Sequence, residues 1–129
     1  MGRRKAVVAV VDDDPSVIGS LENLLESSGY GFVGFASARH LLNHGVSDLD
    51  LVITDIGMPG MDGLELREVV KRTRPDLPVF LITGRHEIAD RERAPRLGAV
   101  FRKPFDVVAL LDAIAKALEQ QELEGEHEE

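Results

Sequence analysis

The chain has 129 residues, of which 43% are hydrophobic, and its 23 acidic and 15 basic residues give a formal net charge of −8. This length and hydrophobic content suit one domain with a real core and exclude extended disorder. The lack of cysteine in the sequence excludes a disulfide scaffold, a cysteine-based zinc site and a thiol nucleophile.

Short β-branched runs alternate along the chain with longer amphipathic stretches. In chain order the predicted elements are the strand Ala6–Val11, the helix Pro15–Ser28, the strand Gly31–Phe35, the helix Ala38–His44, the strand Leu51–Thr54, the helix Gly63–Arg74, the strand Val79–Thr83, the helix Glu87–Leu97, the strand Val100–Arg102 and the helix Val107–Gln121. Runs such as Leu51–Thr54 are apolar on both faces, as in parallel strands covered by helices on each side. The pattern therefore predicts an α/β fold of the (βα)5 type with a doubly wound, five-stranded parallel sheet.

Two prolines affect the predicted helices in opposite ways. Asp14 followed by Pro15 is typical of an N-cap with proline at the first helical position, which favours a capping role for Asp14 over a role in a site. Pro95 lies inside the predicted helix Glu87–Leu97. Because proline removes a backbone donor, we expect it to kink or shorten that helix.

The two ends of the chain carry opposite charge. The basic start Met1–Lys5 is too short to argue for nucleic-acid binding, and no basic face interleaved with aromatic residues follows it, so we expect no direct contact with nucleic acid. The Glu-rich residues 122–129 predict a disordered acidic tail after a domain at residues 1–121. No apolar run approaches the ~20 residues needed to span a bilayer, which predicts a cytoplasmic protein without membrane contact.

Polar residues follow four of the predicted strands. They are Asp12-Asp13-Asp14, Asp55, Thr83-Gly84 and Lys103-Pro104. Because the carboxyl ends of parallel strands meet at one edge of a sheet, we expect these residues to lie close together. Each segment alone has an ordinary explanation as a turn, a cap or a surface residue. Together they suit phosphoryl transfer, which needs carboxylates to bind a hard divalent cation, a carboxylate oxygen to attack phosphorus, and a hydroxyl and an ammonium to hold phosphoryl oxygens.

The motifs at these strand ends resemble a known family. They read VVDDDP at residues 10–15, TDIGMPGMDG at 54–63, ITG at 82–84 and KPF at 103–105. In order and spacing they are similar to the receiver domain of two-component response regulators, in particular the FixJ and NtrC types, over roughly residues 6–120. The resemblance implies a flavodoxin-like fold with strand order 2-1-3-4-5.

The resemblance also implies a role for each site residue. Asp55 is expected to accept a phosphoryl group from a phosphohistidine, with Mg²⁺ as the cofactor. Asp13 is expected to bind Mg²⁺ directly and Asp12 through a water or a less direct contact, and Asp55 and the backbone carbonyl of Gly57 complete the protein ligands. The ion would offset the repulsion between crowded carboxylates and neutralise the charge of the incoming phosphate.

Further roles follow for residues around the phosphoryl group. Lys103 is expected to pair with one phosphoryl oxygen, and the Thr83 hydroxyl to move onto another once Asp55 is modified, which makes the pair a switch. In this family the side chains two positions after the aspartate and two after the threonine border the path of the hydrolytic water. Here these residues are Gly57 and Arg85, which are therefore expected to set the lifetime of the phosphorylated state.

The chain departs from the family pattern in the fifth strand. The segment from Gly98 to Lys103 is about two residues shorter than is usual in the family. Val100 stands where receivers usually carry an aromatic residue that reports the threonine movement, and Phe101 follows one position later. Since successive strand residues point to opposite faces, Phe101 is expected to face away from Val100.

The resemblance implies a phosphoacceptor signalling domain that is not an enzyme and catalyses only its own phosphorylation and dephosphorylation. Its expected partners are a sensor histidine kinase or a phosphotransfer protein, and its candidate partners are a downstream output protein or domain and a second copy of the chain after activation. We expect no output domain within residues 122–129. Both a stand-alone receiver and a domain of a longer regulator are compatible with this sequence.

Two other functions compete with this one. A phosphatase of the haloacid-dehalogenase type also uses an aspartate at a strand end with Mg²⁺, but it expects a second aspartate two residues later, where this chain has Gly57 and therefore lacks a general acid. A receiver-like interaction module without phosphorylation is the main alternative. The altered fifth strand favours it, and the complete set of site residues argues against it.

Overall fold

The computed structural model describes residues 5–84 and 99–127. Its elements in chain order are β1 (Val7–Val11), α1 (Pro15–Ser27), β2 (Gly31–Phe35), α2 (Ala38–His44), β3 (Leu51–Asp55), α3 (Gly63–Thr73), β4 (Val79–Thr83), β5 (Val100–Arg102) and α4 (Val107–His127). All five predicted strands and four of the predicted helices are present within these ranges. The predicted helix Glu87–Leu97, with its Pro95, lies outside the described residues.

The five strands form one parallel sheet with the order β2-β1-β3-β4-β5. β1 is the neighbour of both β2 and β3, so that Val8 pairs with Phe32 on one side and with Leu51 on the other. The strand order reverses at β1 and β3, which is where such sheets place their functional residues. The predicted flavodoxin-like fold is confirmed.

Alternate residues of the strands enter two hydrophobic clusters, one on each face of the sheet. One face carries α1 and α4, which contribute Leu21, Leu25, Leu110 and Ile114 to the cluster there. The other carries α2 and α3, which contribute Ala38, Leu41, Leu66 and Val70. Every residue of β3 is buried, as expected for a central strand covered on both sides.

Two helices begin next to the site edge and are capped by aspartates. Asp14 caps α1, as predicted, because its carboxylate accepts the backbone N–H of Ser16 at 2.9 Å. The hydroxyl of Ser16 and this N–H lower the pKa of Asp14. Asp62 caps α3 in a capping box, in which it accepts the N–H of Glu65 at 2.9 Å and the Glu65 side chain accepts the N–H of Asp62 at 3.1 Å. These caps stabilise the loops that carry the site residues.

The last helix is longer than the sequence predicts. The sequence pattern places its end at Gln121 and predicts disorder for the acidic residues after it, but the backbone of α4 is helical as far as His127. Leu110 and Ile114 of this helix are buried core residues, so the extension continues a helix that packing has already nucleated, and propagation costs less than nucleation. Within the described ranges, no helix has the length and apolar character needed to cross a bilayer.

Gly19 offers a stabilising substitution in α1. Apart from Gly19 itself, its two chain neighbours and the adjacent backbone of the helix, no atom of the described residues lies within 4 Å of the position that a Cβ would take at Gly19. Since alanine loses less conformational freedom than glycine in a helix, Gly19→Ala is expected to raise the free energy of unfolding by about 0.5–1 kcal/mol in urea denaturation. The control is Gly29→Ala, which should lower it because Gly29 has a φ of +93°. A Gly19→Ala variant less stable than the parent would contradict this expectation.

Candidate functional site

Four strand ends bring the predicted site residues to one edge of the sheet. Asp12 follows β1, Asp55 and Thr83 are the last residues of β3 and β4, and Lys103 follows β5. Asp12, Asp55 and Thr83 are buried, which is uncommon for polar side chains unless they have partners. The expected convergence of these residues is therefore present, in a setting with little water around the carboxylates.

Lys103 supplies the positive charge between the two buried carboxylates. Its Nζ lies 3.0 Å from Oδ2 of Asp12 and 3.3 Å from Oδ1 of Asp55. Its backbone N–H donates to the carbonyl of Thr83 at 2.8 Å, which ties the end of β5 to the end of β4. The Lys103–Pro104 peptide bond is cis. Lys103 thus joins the end of β5 to the ends of β1, β3 and β4.

The environment of Lys103 stabilises its charged form. Desolvation by burial lowers the pKa of Lys103, but the hydrogen bond to Asp12 and the charges of Asp55 and Asp12 outweigh it, so the pKa is raised above 10.5. Because the folded-state pKa is the higher one, the ion pairs contribute fully to stability below pH 10.5. The contribution is lost as the pH rises through the folded-state value.

Three carboxylates form a group suited to a divalent cation. Oxygen atoms of Asp12, Asp13 and Asp55 all lie within 4.8 Å of one another. Asp13 is exposed while the other two are buried, so the group is open to solvent on one side. Carboxylate oxygens are hard ligands, and their type and number fit a hard cation that keeps several waters.

Asp12 is oriented by the backbone around it. Its Oδ1 accepts the N–H of Asp14 at 2.9 Å, and its own N–H donates to the carbonyl of Phe35 in β2 at 3.1 Å. Its other carboxylate oxygen faces Lys103. The two carboxylate oxygens therefore have different partners, and the Asp12 side chain has little freedom to turn.

Gly63, which ends the motif at residues 54–63 and received no role from the sequence, helps to form the site. A Cβ at Gly63, the first residue of α3, would overlap the carbonyl oxygen of Asp55 and lie 2.9 Å from the Cα of Ile56. The Gly63 N–H donates to the carbonyl of Ile56 at 2.9 Å. Only glycine lets α3 begin this close to the aspartate. The available signal was a glycine directly after the capping residue Asp62.

The loop between Asp55 and Gly63 carries the other predicted residues of this region. Met58 is buried in the cluster on the α2 and α3 face, and Gly57 is exposed. The metal-ligand role of the Gly57 carbonyl stays a prediction. Arg85 lies outside the described residues.

The side chains of β5 point as predicted. Val100 packs against Ile56, Leu64 and Leu81 on one face of the sheet. Phe101 lies on the other face, with its ring centroid 5.5 Å from that of Phe80, in the cluster that includes α4. The Thr83 hydroxyl donates to the carbonyl of Gly84 at 3.1 Å. No aromatic side chain of β5 therefore lies on the Val100 face.

Comparisons with known proteins agree with this geometry. Residues 8–115 match the family model of the response regulator receiver domain. Nodulation protein W of Bradyrhizobium diazoefficiens is 39% identical over 119 residues, which are 90% of this chain and 52% of that protein. The transcriptional regulatory protein FixJ of Azorhizobium caulinodans is 36% identical over 125 residues, which are 95% of this chain and 59% of that protein. The chain thus spans little more than half the length of these two relatives.

A solved structure gives the same result. The crystal structure of a CheY-like response regulator receiver domain protein from Methanospirillum hungatei has a TM-score of 0.84 and 29% sequence identity, over 94% of this chain and 99% of that one. The match of residues 8–115 to the family model covers well over half of the chain. The protein therefore belongs to the receiver domain family of two-component response regulators.

Proposed function

We propose that Asp55 accepts a phosphoryl group from a phosphohistidine and that the chain switches conformation as a result. The observation that supports this most directly is the position of Lys103 Nζ, 3.0 Å from Asp12 and 3.3 Å from Asp55, beside a group of three carboxylates. An ammonium in this place can hold a phosphoryl oxygen while Asp55 reacts.

The chemical step uses the Asp55 carboxylate as the nucleophile. One of its oxygens attacks phosphorus and forms an O–P bond, while the P–N bond to the imidazole breaks and its electron pair stays on the imidazole nitrogen. Buried and held near Lys103, the Asp55 carboxylate loses little further freedom when it reacts. The product is an aspartyl phosphate that water can later hydrolyse. In this proposal the chain catalyses only these two reactions on itself.

We assign the cofactor site to the carboxylates of Asp12, Asp13 and Asp55, together with the backbone carbonyl of Gly57. Bound Mg²⁺ would neutralise phosphate charge and align the reacting oxygens. Asp13 is the exposed carboxylate of the set and would bind the cation directly. Asp12, whose Oδ1 already accepts a backbone N–H, offers the more indirect contact.

Thr83 and Lys103 are proposed to form the switch. The Thr83 hydroxyl donates to the Gly84 carbonyl at 3.1 Å. To reach a phosphoryl oxygen on Asp55, the Thr83 hydroxyl must break its hydrogen bond to the Gly84 carbonyl. This movement would change the conformation at the end of β4. Lys103, whose N–H binds the Thr83 carbonyl, transmits the change to β5.

The partners follow from this chemistry. A sensor histidine kinase or phosphotransfer protein would supply the phosphohistidine. Nodulation protein W and FixJ are longer than this chain, which supports a downstream output protein or domain that responds to the signal. A homodimer after activation, the absence of direct nucleic-acid binding and the cytoplasmic location remain predictions.

The proposal is tested by treating the protein with acetyl phosphate with and without Mg²⁺. Intact-protein mass spectrometry should detect one added phosphoryl group only when Mg²⁺ is present. An Asp13→Ala variant should bind Mg²⁺ about tenfold more weakly, the factor expected for the loss of one charge-assisted contact, and should label more slowly at limiting Mg²⁺. A parent protein that takes up no phosphoryl group would favour a receiver-like interaction module instead.

A second expectation concerns the lifetime of the phosphorylated state. Gly57 leaves the path of the hydrolytic water open, whereas a long side chain there would block it, so Gly57→Lys should lengthen the half-life of the aspartyl phosphate. Arg85→Ala should shorten it, because solvent screens the attraction between a long cationic side chain and phosphoryl oxygens but not the exclusion of water by that side chain. A dephosphorylation time course measures both. A longer half-life in Arg85→Ala would mean that Arg85 assists hydrolysis.

A further inference from the structure

Four polar residues are buried in the described part of the chain, and one of them has no part in the function proposed above. They are Asp12, Thr54, Asp55 and Thr83. Thr54 is fully buried, and it directly precedes the phosphoacceptor in β3. Its hydroxyl therefore needs an explanation of its own.

The surroundings of Thr54 are apolar. Within β3 its side chain lies on the same face as that of Val52, which belongs to the cluster under α2 and α3. Its register partners are Val11 in β1 and Leu81 in β4, both fully buried. A valine at position 54 would fill nearly the same volume without burying a hydroxyl, so packing alone favours valine here.

The Thr54 hydroxyl donates to the backbone carbonyl of Asp55 at 3.1 Å. That same carbonyl lies against Gly63, where a Cβ would overlap it. The next residue, Ile56, makes two backbone hydrogen bonds. Its N–H donates to the carbonyl of Ile82 at 2.9 Å, and its carbonyl accepts the N–H of Gly63, also at 2.9 Å. Thr54 is therefore part of the set of contacts that fixes the peptide unit after the phosphoacceptor.

We propose that Thr54 is a positioning residue for Asp55, whose hydroxyl holds the Asp55 carbonyl and so sets the direction of the carboxylate toward Lys103 and the cation. This inference rests on the proposed role of Asp55. A displacement of the Asp55 main chain would move its Cα and Cβ, and with them Oδ1, away from the position 3.3 Å from Lys103. Small displacements of a reacting group have large effects on rate.

The test compares Thr54→Val and Thr54→Ser with the parent protein. Valine keeps the shape and removes the hydroxyl, while serine keeps the hydroxyl. Thr73→Val is the matched control, because it removes an exposed threonine hydroxyl near the end of α3, away from the site. The measurements are the urea denaturation midpoint, the Mg²⁺ affinity from an NMR titration, and the rate of phosphorylation over a range of acetyl phosphate concentrations.

We expect Thr54→Val to lower the rate at saturating acetyl phosphate and Mg²⁺ by about fivefold, the factor expected for one lost hydrogen bond. Its denaturation midpoint should equal or exceed that of the parent, and Thr54→Ser and Thr73→Val should keep the parental rate within about twofold. A parental rate in Thr54→Val, or a serine variant as slow as the valine variant, would overturn the proposal.

Two further comparisons keep the result decisive. If Thr54→Val does not fold, Thr54→Ser and Thr54→Ala replace the comparison, since they differ by the hydroxyl alone and serine must be the faster. If the parent takes up no phosphoryl group, the proposed function fails, and the Mg²⁺ affinities then test the positioning role of Thr54. Weaker Mg²⁺ binding in Thr54→Val than in the parent and Thr54→Ser would support positioning, and equal affinities would overturn it.

Discussion

An Asp55→Asn variant is expected to take up no phosphoryl group from acetyl phosphate or from a kinase donor. The amide has nearly the shape of the carboxylate, so the buried position next to Lys103 stays filled. It lacks the negative oxygen that attacks phosphorus, so the O–P bond cannot form at this position. Intact-protein mass spectrometry after treatment with acetyl phosphate and Mg²⁺ measures the uptake.

The matched control is Asp62→Asn. Asp62 is an aspartate of the same loop region that caps α3 and makes no contact with Lys103 in the described structure. Asparagine caps helices about as well as aspartate, so this variant should fold and label like the parent. Labelling of Asp55→Asn at the parental level would show that another residue is the phosphoacceptor.

Replacement of Lys103 by methionine is expected to lower the phosphorylation rate by about 10²–10³-fold, the loss found when one preorganised donor to a developing charge is removed. Methionine keeps much of the side-chain length and loses the charge that lies 3.0 Å from Asp12 and 3.3 Å from Asp55. The measurement is the labelling rate with acetyl phosphate at saturating Mg²⁺. A rate within twofold of the parent would exclude Lys103 from the reaction.

The same variant should be less stable without Mg²⁺. Removal of Lys103 leaves two buried carboxylates without their cation, and since the lysine is 28% exposed we expect a loss of about 1–2 kcal/mol, less than for a fully buried pair. Added Mg²⁺ should stabilise Lys103→Met more than the parent, because the cluster then carries one more uncompensated charge. Urea denaturation in EDTA and in MgCl₂ measures both effects.

Lys116→Met is the control for stability. Lys116 also pairs with an aspartate at 3.0 Å, but both side chains of that pair are largely exposed. Its removal should change the free energy of unfolding by less than about 0.5 kcal/mol and should not alter the response to Mg²⁺. As the pH is raised above 10.5, the free energy of unfolding should fall less in Lys103→Met than in the parent. The reason is that the variant lacks the lysine whose raised pKa links stability to pH. Equal responses to Mg²⁺ in the two lysine variants would contradict the assigned site.

Periodicity along the chain was enough to predict the α/β fold class and the residues at the sheet edge, and the family resemblance added the strand order. Strand and helix periodicities are local properties, and each of the five strands lies where the sequence pattern predicts it. Because parallel strands end at a common edge, the positions of Asp12, Asp55, Thr83 and Lys103 in the chain were enough to predict that they meet. The opposite directions of Val100 and Phe101 also followed from strand geometry alone.

The burial of these residues and the contacts between their atoms could not be predicted from the sequence pattern. Asp12 and Lys103 are 91 positions apart, and the choice of Asp12 Oδ2 and Asp55 Oδ1 as partners of one ammonium depends on how β5 packs against β4. The roles of Gly63 and Thr54 arise from a close approach between α3 and the Asp55 carbonyl. Periodicity reports which face a side chain occupies, whereas such contacts depend on distances between elements that are set by packing of the whole domain.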